Sequence, residues 1–322
     1  MKYPYLRVAT TLATFGAFVA LTEPRAEACG SCRGPGGAGS AVTAPYETFG
    51  VTVAQTARLG HGIWNDRGEY VAFGKASRDV AMDVAFGAAY RLRDDVELAA
   101  FGTFGHASVS GPDFAQARTA FGDTSLRGRW EIVSEPAIAL PGTFGYPSLG
   151  ANLTARVPTG SVELAGASGS GPSAGTAGST ATSLGLGTTE VALSIDVRRT
   201  FAQKVQLALI VEGALRAPDS ALGIDRGLGP RWLTRAMALY FPSSTVTCGL
   251  FVDVLGEGNV SYGGRTIERS FQRAFSFGGL VGLKHDSGFR AGVSLGLGPP
   301  IPSLPVNVVG MTTATAFLGF TR

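Results

Sequence analysis

Between Val80 and Phe104 the chain sets its large apolar residues at alternate positions. Val80, Met82, Val84, Phe86, Ala88, Tyr90 and Leu92 make one set, and Ala81, Asp83, Ala85, Gly87, Ala89, Arg91 and Arg93 make the other. A period of two marks a strand whose faces meet different surroundings. After the charged break Arg93-Asp94-Asp95 the alternation resumes, with Val96, Leu98, Ala100 and Phe104 against Glu97, Ala99 and Thr103. The two runs therefore read as a hairpin with a tight turn. Both are about twice as long as an ordinary globular strand of roughly five or six residues. A soluble sheet would carry many Lys and Glu on its watery face, whereas here small and charged residues share that face. A barrel in lipid accounts for both features, with the apolar face toward hydrocarbon and the other lining a lumen.

The rhythm recurs in segments near 48–58, 78–93, 95–106, 121–134, 147–158, 184–199, 203–216, 229–241, 245–256, 271–285, 288–298 and 308–320. The predicted fold is all-β: a transmembrane antiparallel up-and-down barrel of about 12 strands, with short periplasmic turns and longer outer loops. Connection lengths support it. Leu59–Ser77, Ala107–Ala120 and Thr159–Ser183 are long, whereas Ala202-Gln203, Pro242-Ser243-Ser244 and Asp286-Ser287 are short. Glu135–Tyr146 is the exception, of middling length on the side expected to carry turns.

Composition narrows the class. Only 16% of residues are charged against 45% hydrophobic, and 27 Lys plus Arg against 24 Asp plus Glu leave a net charge of +3. So weak a balance, with the charges spread out, implies no nucleic-acid partner. Lys2 and Arg7, the apolar run Val8–Leu21 and Ala26-Glu27-Ala28 read as a signal peptide over 1–28, the run being shorter than the ~20 residues a spanning helix needs. A flexible Gly-rich segment is expected over 29–47, then an outer-membrane barrel over 48–322. The membrane lipid is thus one partner. Ala314, Ala316, Leu318 and Phe320 resemble the terminal signal read by barrel-assembly machinery, a second partner, although Thr321 and Arg322 follow the aromatic residue.

Cys29 and Cys32 form a CxxC pair just after the expected cut. It reads as a short-loop disulfide or inert pair, as a lipid anchor on Cys29, or as a redox or metal site. A metal site wants about four ligands, and no second pair or nearby His supplies them. No cofactor is implied. Cys248 alternates with Val246, Leu250 and Val252 and is expected to face outward.

The segment from 121 shows the lumen chemistry: Asp123, Ser125, Arg127, Arg129 and Glu131 alternate with Thr124, Leu126, Gly128, Trp130 and Ile132. With Arg156 on the next segment they are the candidate lumen or constriction residues. Further inward candidates are Asp83, Arg91, Glu97, Glu190, Asp196, Arg198, Glu212, Arg216, Arg231, Arg235, Lys284 and Arg290. Such groups either satisfy one another as ion pairs that hold the wall or select solutes by charge. Inward Ala81, Ala85, Gly87, Gly278, Gly282, Gly292 and Gly296 are expected to leave space, which the 29–45 segment could occupy. Trp64, Tyr70, Trp130, Tyr240, Phe241 and Phe320 fall where aromatic belts are expected. An enzyme is the less favoured class: His61 and His106 are placed near one another at the outer ends, His285 in a periplasmic turn, and no nucleophile motif accompanies them.

Gly122-Asp123-Thr124-Ser125-Leu126, then Val157-Pro158-Thr159-Gly160, then Leu184-Gly185-Leu186-Gly187-Thr188-Thr189-Glu190, resemble landmarks of the phenol meta-pathway (MetA) transporter-like family of outer-membrane barrels. The resemblance covers roughly residues 120–200 by motif. It implies a channel for passive passage of small, aromatic or hydrophobic solutes. The alternative is a non-transporting barrel that binds a partner or braces the membrane. The Ser/Gly-rich stretch after Gly160 and the CxxC pair depart from the family pattern.

Overall fold

The computed structural model describes residues 47–75, 77–112, 114–134, 146–160, 185–202, 204–220, 225–299, 301–302 and 304–322. The expected signal peptide over 1–28, nearly all of the 29–47 segment, and Cys29 and Cys32 lie outside the described residues.

Twelve strands form the wall: β1 (Phe49–Trp64), β3 (Arg78–Arg93), β4 (Val96–Gly111), β6 (Thr124–Val133), β7 (Ser148–Val157), β8 (Glu190–Phe201), β9 (Val205–Arg216), β11 (Arg231–Tyr240), β12 (Val246–Glu257), β15 (Gln272–Lys284), β16 (Phe289–Leu297) and β17 (Val309–Thr321). Five shorter strands, β2 (Tyr70–Ala72), β5 (Phe114–Phe121), β10 (Arg226–Gly227), β13 (Ser261–Tyr262) and β14 (Arg265–Thr266), belong to the outer connections. Each wall strand pairs antiparallel with its neighbours in the chain. The seam closes through β1 and β17, in register from Gly50↔Thr321 to Gly60↔Met311 and, after a bulge, to Ile63↔Val309. The fold is a closed antiparallel barrel of the outer-membrane kind.

Alternation decides which face meets lipid. On β3, Met82, Val84, Phe86 and Tyr90 are exposed on the outer surface while Asp79, Ala81, Asp83, Ala85, Ala89 and Arg91 are buried. β8 repeats the rule, with Val191, Leu193, Ile195 and Val197 outside and Glu190, Ala192, Ser194 and Asp196 inside. Strands of 10 to 12 residues, as in β6 to β9, match the ~9–11 needed to cross a bilayer.

Two expected loops are partly strand. β1 runs on to Trp64 and pairs there with β2, and β4 runs on to Gly111 and pairs with β5. The physical reason is that the ribbon continues above the hydrocarbon. There its residues turn polar, as in His106, Ser108 and Ser110, and a polar strand reads as loop. Conversely β8 begins only at Glu190, because residues 185–189 bend where Leu186 is held by Asp123 and Arg226. Trp64 and Tyr70 do not join an outer belt. Trp64 is 1% exposed and packs with Leu233, Leu255, Ala274 and Val308, with Tyr70 against that cluster. Trp130 and Tyr240 do lie exposed on the outer surface near the short-turn rim.

The assigned faces carry a direct expectation. Val84→Arg or Ile195→Arg should destabilise the barrel by about 2–4 kcal/mol in urea-dependent refolding into liposomes. Gln116→Arg, on β5 above the wall, should leave the midpoint unchanged.

Candidate functional site

The three sequence landmarks converge on one point at the outer end of β6 and β7. Gly122-Asp123 interrupts the run from β5 to β6, and the Asp123 carboxylate turns inward, fully buried. It accepts the backbone N–H of Gly160 at 3.0 Å and of Leu186 at 2.7 Å. The Thr124 N–H donates to Thr159 Oγ1 at 2.9 Å, and the Thr159 hydroxyl donates to the Gly122 carbonyl at 3.2 Å. The glycines are required by this packing. A Cβ on Gly160 would lie 2.7 Å from the Gly122 carbonyl carbon, and one on Gly185 would lie 2.6 Å from Asp123 Oδ1. Leu186 is held from its other side by Arg226, whose guanidinium donates to the Leu186 carbonyl at 2.5 Å and pairs with Asp219 at 2.7 Å. Arg226 was not among the expected site residues, because its role depends on a contact between two outer connections.

Below this knot the inward charges form compensated layers. Glu190 meets Arg216 at 2.8 Å, Arg231 at 2.9 Å and Arg156 at 3.6 Å. Arg231 also reaches Glu212 at 2.7 Å, and Arg216 reaches Glu257 at 2.9 Å. This belt therefore balances three arginines with three carboxylates. Nearer the short-turn rim, Arg129 pairs with Glu131 at 2.5 Å and Asp196 at 3.3 Å, and Arg198 bridges the same two carboxylates at 3.2 and 3.0 Å. Asn152 donates to Asp196 at 3.2 Å. Arg127 lies apart, on Glu97 at 3.2 Å. Arg127, Arg129 and Arg156 thus do not converge as one positive group; each is drawn to a different carboxylate, while Asp123 is occupied by backbone amides.

Several members of the network escaped sequence reading. Arg58 pairs with Asp83, and Arg235 grips Asp253 with two bonds of 2.6 and 2.7 Å. At the short-turn rim Glu47 accepts from Lys284 at 3.1 Å, from the Thr321 hydroxyl at 2.8 Å and from Arg290. Asp253 and Glu257 obey the same alternation as the residues that were recognised. Glu47 precedes the first strand and carried no such signal.

Two inward glycines do not leave open space. Phe101 sits opposite Gly87 across β3 and β4, where a Cβ on Gly87 would lie 2.7 Å from the ring. Phe251 likewise covers Gly278 across β12 and β15. A guanidinium lies over each ring, Arg127 at 5.1 Å from the Phe101 centroid and Arg235 at 5.7 Å from that of Phe251. Both rings are thus packed away, Phe101 at 9% and Phe251 at 2% exposure, between a glycine of the neighbouring strand and a guanidinium.

The histidines do not assemble into a catalytic group. His61 shares a 2.7 Å hydrogen bond with the Tyr70 hydroxyl, His106 shares one of 2.7 Å with Thr119 Oγ1, and His285 shares one of 2.8 Å with Ser287 Oγ in the β15–β16 turn. In the outer cap, burial pushes the phenols of Tyr70 and Tyr262 above their ordinary range.

The Glu190 belt yields a test. Glu190→Gln leaves Arg156, Arg216 and Arg231 short of one shared counter-charge, and should cost about 3–5 kcal/mol in refolding. Adding Arg231→Gln should recover part of the loss, as a double-mutant cycle reads directly.

No protein-family model matches the chain, and no curated protein sequence does. Among solved structures, a COG4313 outer membrane channel from Pseudomonas putida F1 superposes with a TM-score of 0.71 over 88% of this chain and 98% of that one, at 14% identity. The translocator domain of the autotransporter NalP from Neisseria meningitidis gives a TM-score of 0.47 over 85% of this chain and 88% of that one, at 11% identity. The NanC porin gives 0.47 over 84% of this chain and 100% of that one, at 6% identity. The first likeness agrees with the closed barrel seen here. The chain has the architecture of a bacterial outer-membrane β-barrel.

Proposed function

We propose that the protein is an outer-membrane channel for passive passage of small, uncharged solutes, with aromatic or otherwise hydrophobic compounds favoured. The observation that carries this reading is the compensation of the lumen arginines. Arg127, Arg129, Arg156, Arg198, Arg216, Arg231 and Arg235 each meet a carboxylate within 3.6 Å, so these arginines form no uncompensated positive ring among the described residues. The fold shared with the Pseudomonas putida channel is compatible with the reading. Asp123, Arg127, Arg129, Glu131 and Arg156 then act as the groups that set lumen width and charge balance.

Glu47 bears on how the channel is kept at rest. Its ties to Lys284, Arg290 and Thr321 draw the start of β1 toward the lumen side of the short-turn mouth. Residue 47 therefore stands at that mouth, and residues 29–45 are proposed as its plug.

Liposomes containing the protein should take up a neutral aromatic solute such as phenol faster than a sugar of similar mass. Planar-bilayer currents should show little preference between potassium and chloride. Arg129→Gln should shift selectivity toward cations by leaving Glu131 and Asp196 undercompensated. Strong anion selectivity of the unaltered protein, unchanged in that variant, would contradict the compensated-lumen reading.

A further inference from the structure

We infer that the lipid-facing wall carries a built site for one phospholipid. Its acyl chain lies in an external groove across β9 to β16, and its phosphate lies against Arg199 and Lys204 at the short-turn rim. The groove has a volume of about 610 Å³ and an overwhelmingly apolar lining, within the roughly 300–1,000 Å³ typical of ligand pockets. Outward Ala238, Cys248 and Gly279 keep it shallow-walled, and exposed Tyr240, Leu250 and Leu295 flank it.

Register gives the groove a direction. One cross-strand row of outward residues runs from Phe201 through Val205, Tyr240 and Cys248 to Val293. The next runs from Arg199 through Leu207, Ala238 and Gly279 to Leu295. Tyr240 is the last residue of β11, whereas Val293 lies well inside β16, so the rows climb from the rim toward the middle of the wall. From β9 to β16 the groove crosses four interstrand spacings, roughly 19 Å. That length and slope suit an acyl chain descending from a headgroup at the rim to the centre of the bilayer.

Charge at the rim end selects the headgroup. Arg199 is on the outward set of β8, beside the lipid-facing Val197 and Phe201, and its guanidinium lies 5.6 Å from the Phe201 ring centroid. Lys204 is exposed in the β8–β9 turn, where its carbonyl accepts the N–H of Phe241 at 2.7 Å and so fixes the turn beside the foot of β11. Neither cation lines the groove: Lys204 adjoins its rim-end residue Val205 in the chain, and Arg199 lies toward Phe201, the register partner of Val205, so both stand beside that end, where they match an anionic phosphate. A second copy packed groove to groove about a two-fold axis would bring the same two cations with it and offer no counter-charge. Tyr240 adds an amphipathic ring at the same level.

Substitution is structurally permitted. A Cβ on Gly279 would meet Gly249 O at 3.5 Å and Leu250 Cδ2 at 3.6 Å, ordinary contact distances, so Gly279→Leu fills the groove without displacing the wall. Gly213→Leu, on the outward face of β9 with no atom within 4 Å of the added Cβ, is the matched control. The test is native mass spectrometry of the full barrel in mild detergent, titrated with dipalmitoyl phosphatidylglycerol. The expected result is one retained lipid, lost in Gly279→Leu and kept in Gly213→Leu. Arg199→Gln and Lys204→Gln should each weaken retention by about fivefold. Equal lipid retention in Gly279→Leu and the unaltered barrel would overturn the site. So would a dimer that Gly279→Leu converts to monomer, which would assign the groove to a second copy.

Discussion

In hydrocarbon a peptide group has no partner except another peptide group, and this constraint shapes the molecule. A sheet of twelve strands has two open edges until the first meets the last. β1 and β17 close that gap over nearly their whole length. The end of the chain is drawn into the closure, since the Arg322 carbonyl accepts the N–H groups of Thr48 at 2.6 Å and Phe49 at 3.0 Å. Just inside the seam the Glu47 carboxylate joins side chains of β15, β16 and β17. The wall is thus tied at the rim by one buried carboxylate as well as by its ladder.

Closure has a consequence for the interior. Every second residue of every strand is removed from lipid, and the charged residues among them are crowded into a narrow space. Desolvated charge is tolerated only where it is paired and hydrogen-bonded. The observed answer is a set of layers in which arginines and carboxylates share one another, as Glu190 does with three guanidiniums. Such a lining supports the proposed indifference to the sign of a solute's charge, while Phe101 and Phe251 are packed beneath its guanidiniums. Fold and the proposed solute preference then have one origin, the need to compensate charge inside a closed sheet.

Much of this was legible in the sequence, because the barrel signal is a local one. Alternation on β3 and β8, and the short turns at 94–95 and 285–288, follow from residue spacing alone. What stayed hidden depends on the register of adjacent strands and on side chains that reach one strand further along the wall. Arg127, Arg129 and Arg156 look like a positive cluster along β6 and β7. Their partners Glu97, Asp196 and Glu190 come from β4 and β8, and no spacing rule chooses among them. Inward Gly87 and Gly278 suggested open space because the rings that cover them belong to the neighbouring strand. Trp64 sits at a strand end like a belt residue, yet the extension of β1 above the membrane carries it into the interior. The landmarks around Asp123, Gly160 and Leu186 were visible as separate motifs, and only the fold shows them meeting at one carboxylate.

The seam itself is the most direct test of the whole account. Thr56 on β1 and Thr315 on β17 face each other, with hydroxyl oxygens 3.0 Å apart although 259 positions separate them in the chain. Thr56→Cys with Thr315→Cys, in a chain whose three natural cysteines are replaced by serine, should oxidise spontaneously in the folded protein. After boiling in SDS the crosslinked chain should migrate faster than its reduced form. Two thiols that remain free in the folded, detergent-solubilised protein would mean that β1 and β17 do not meet in this register.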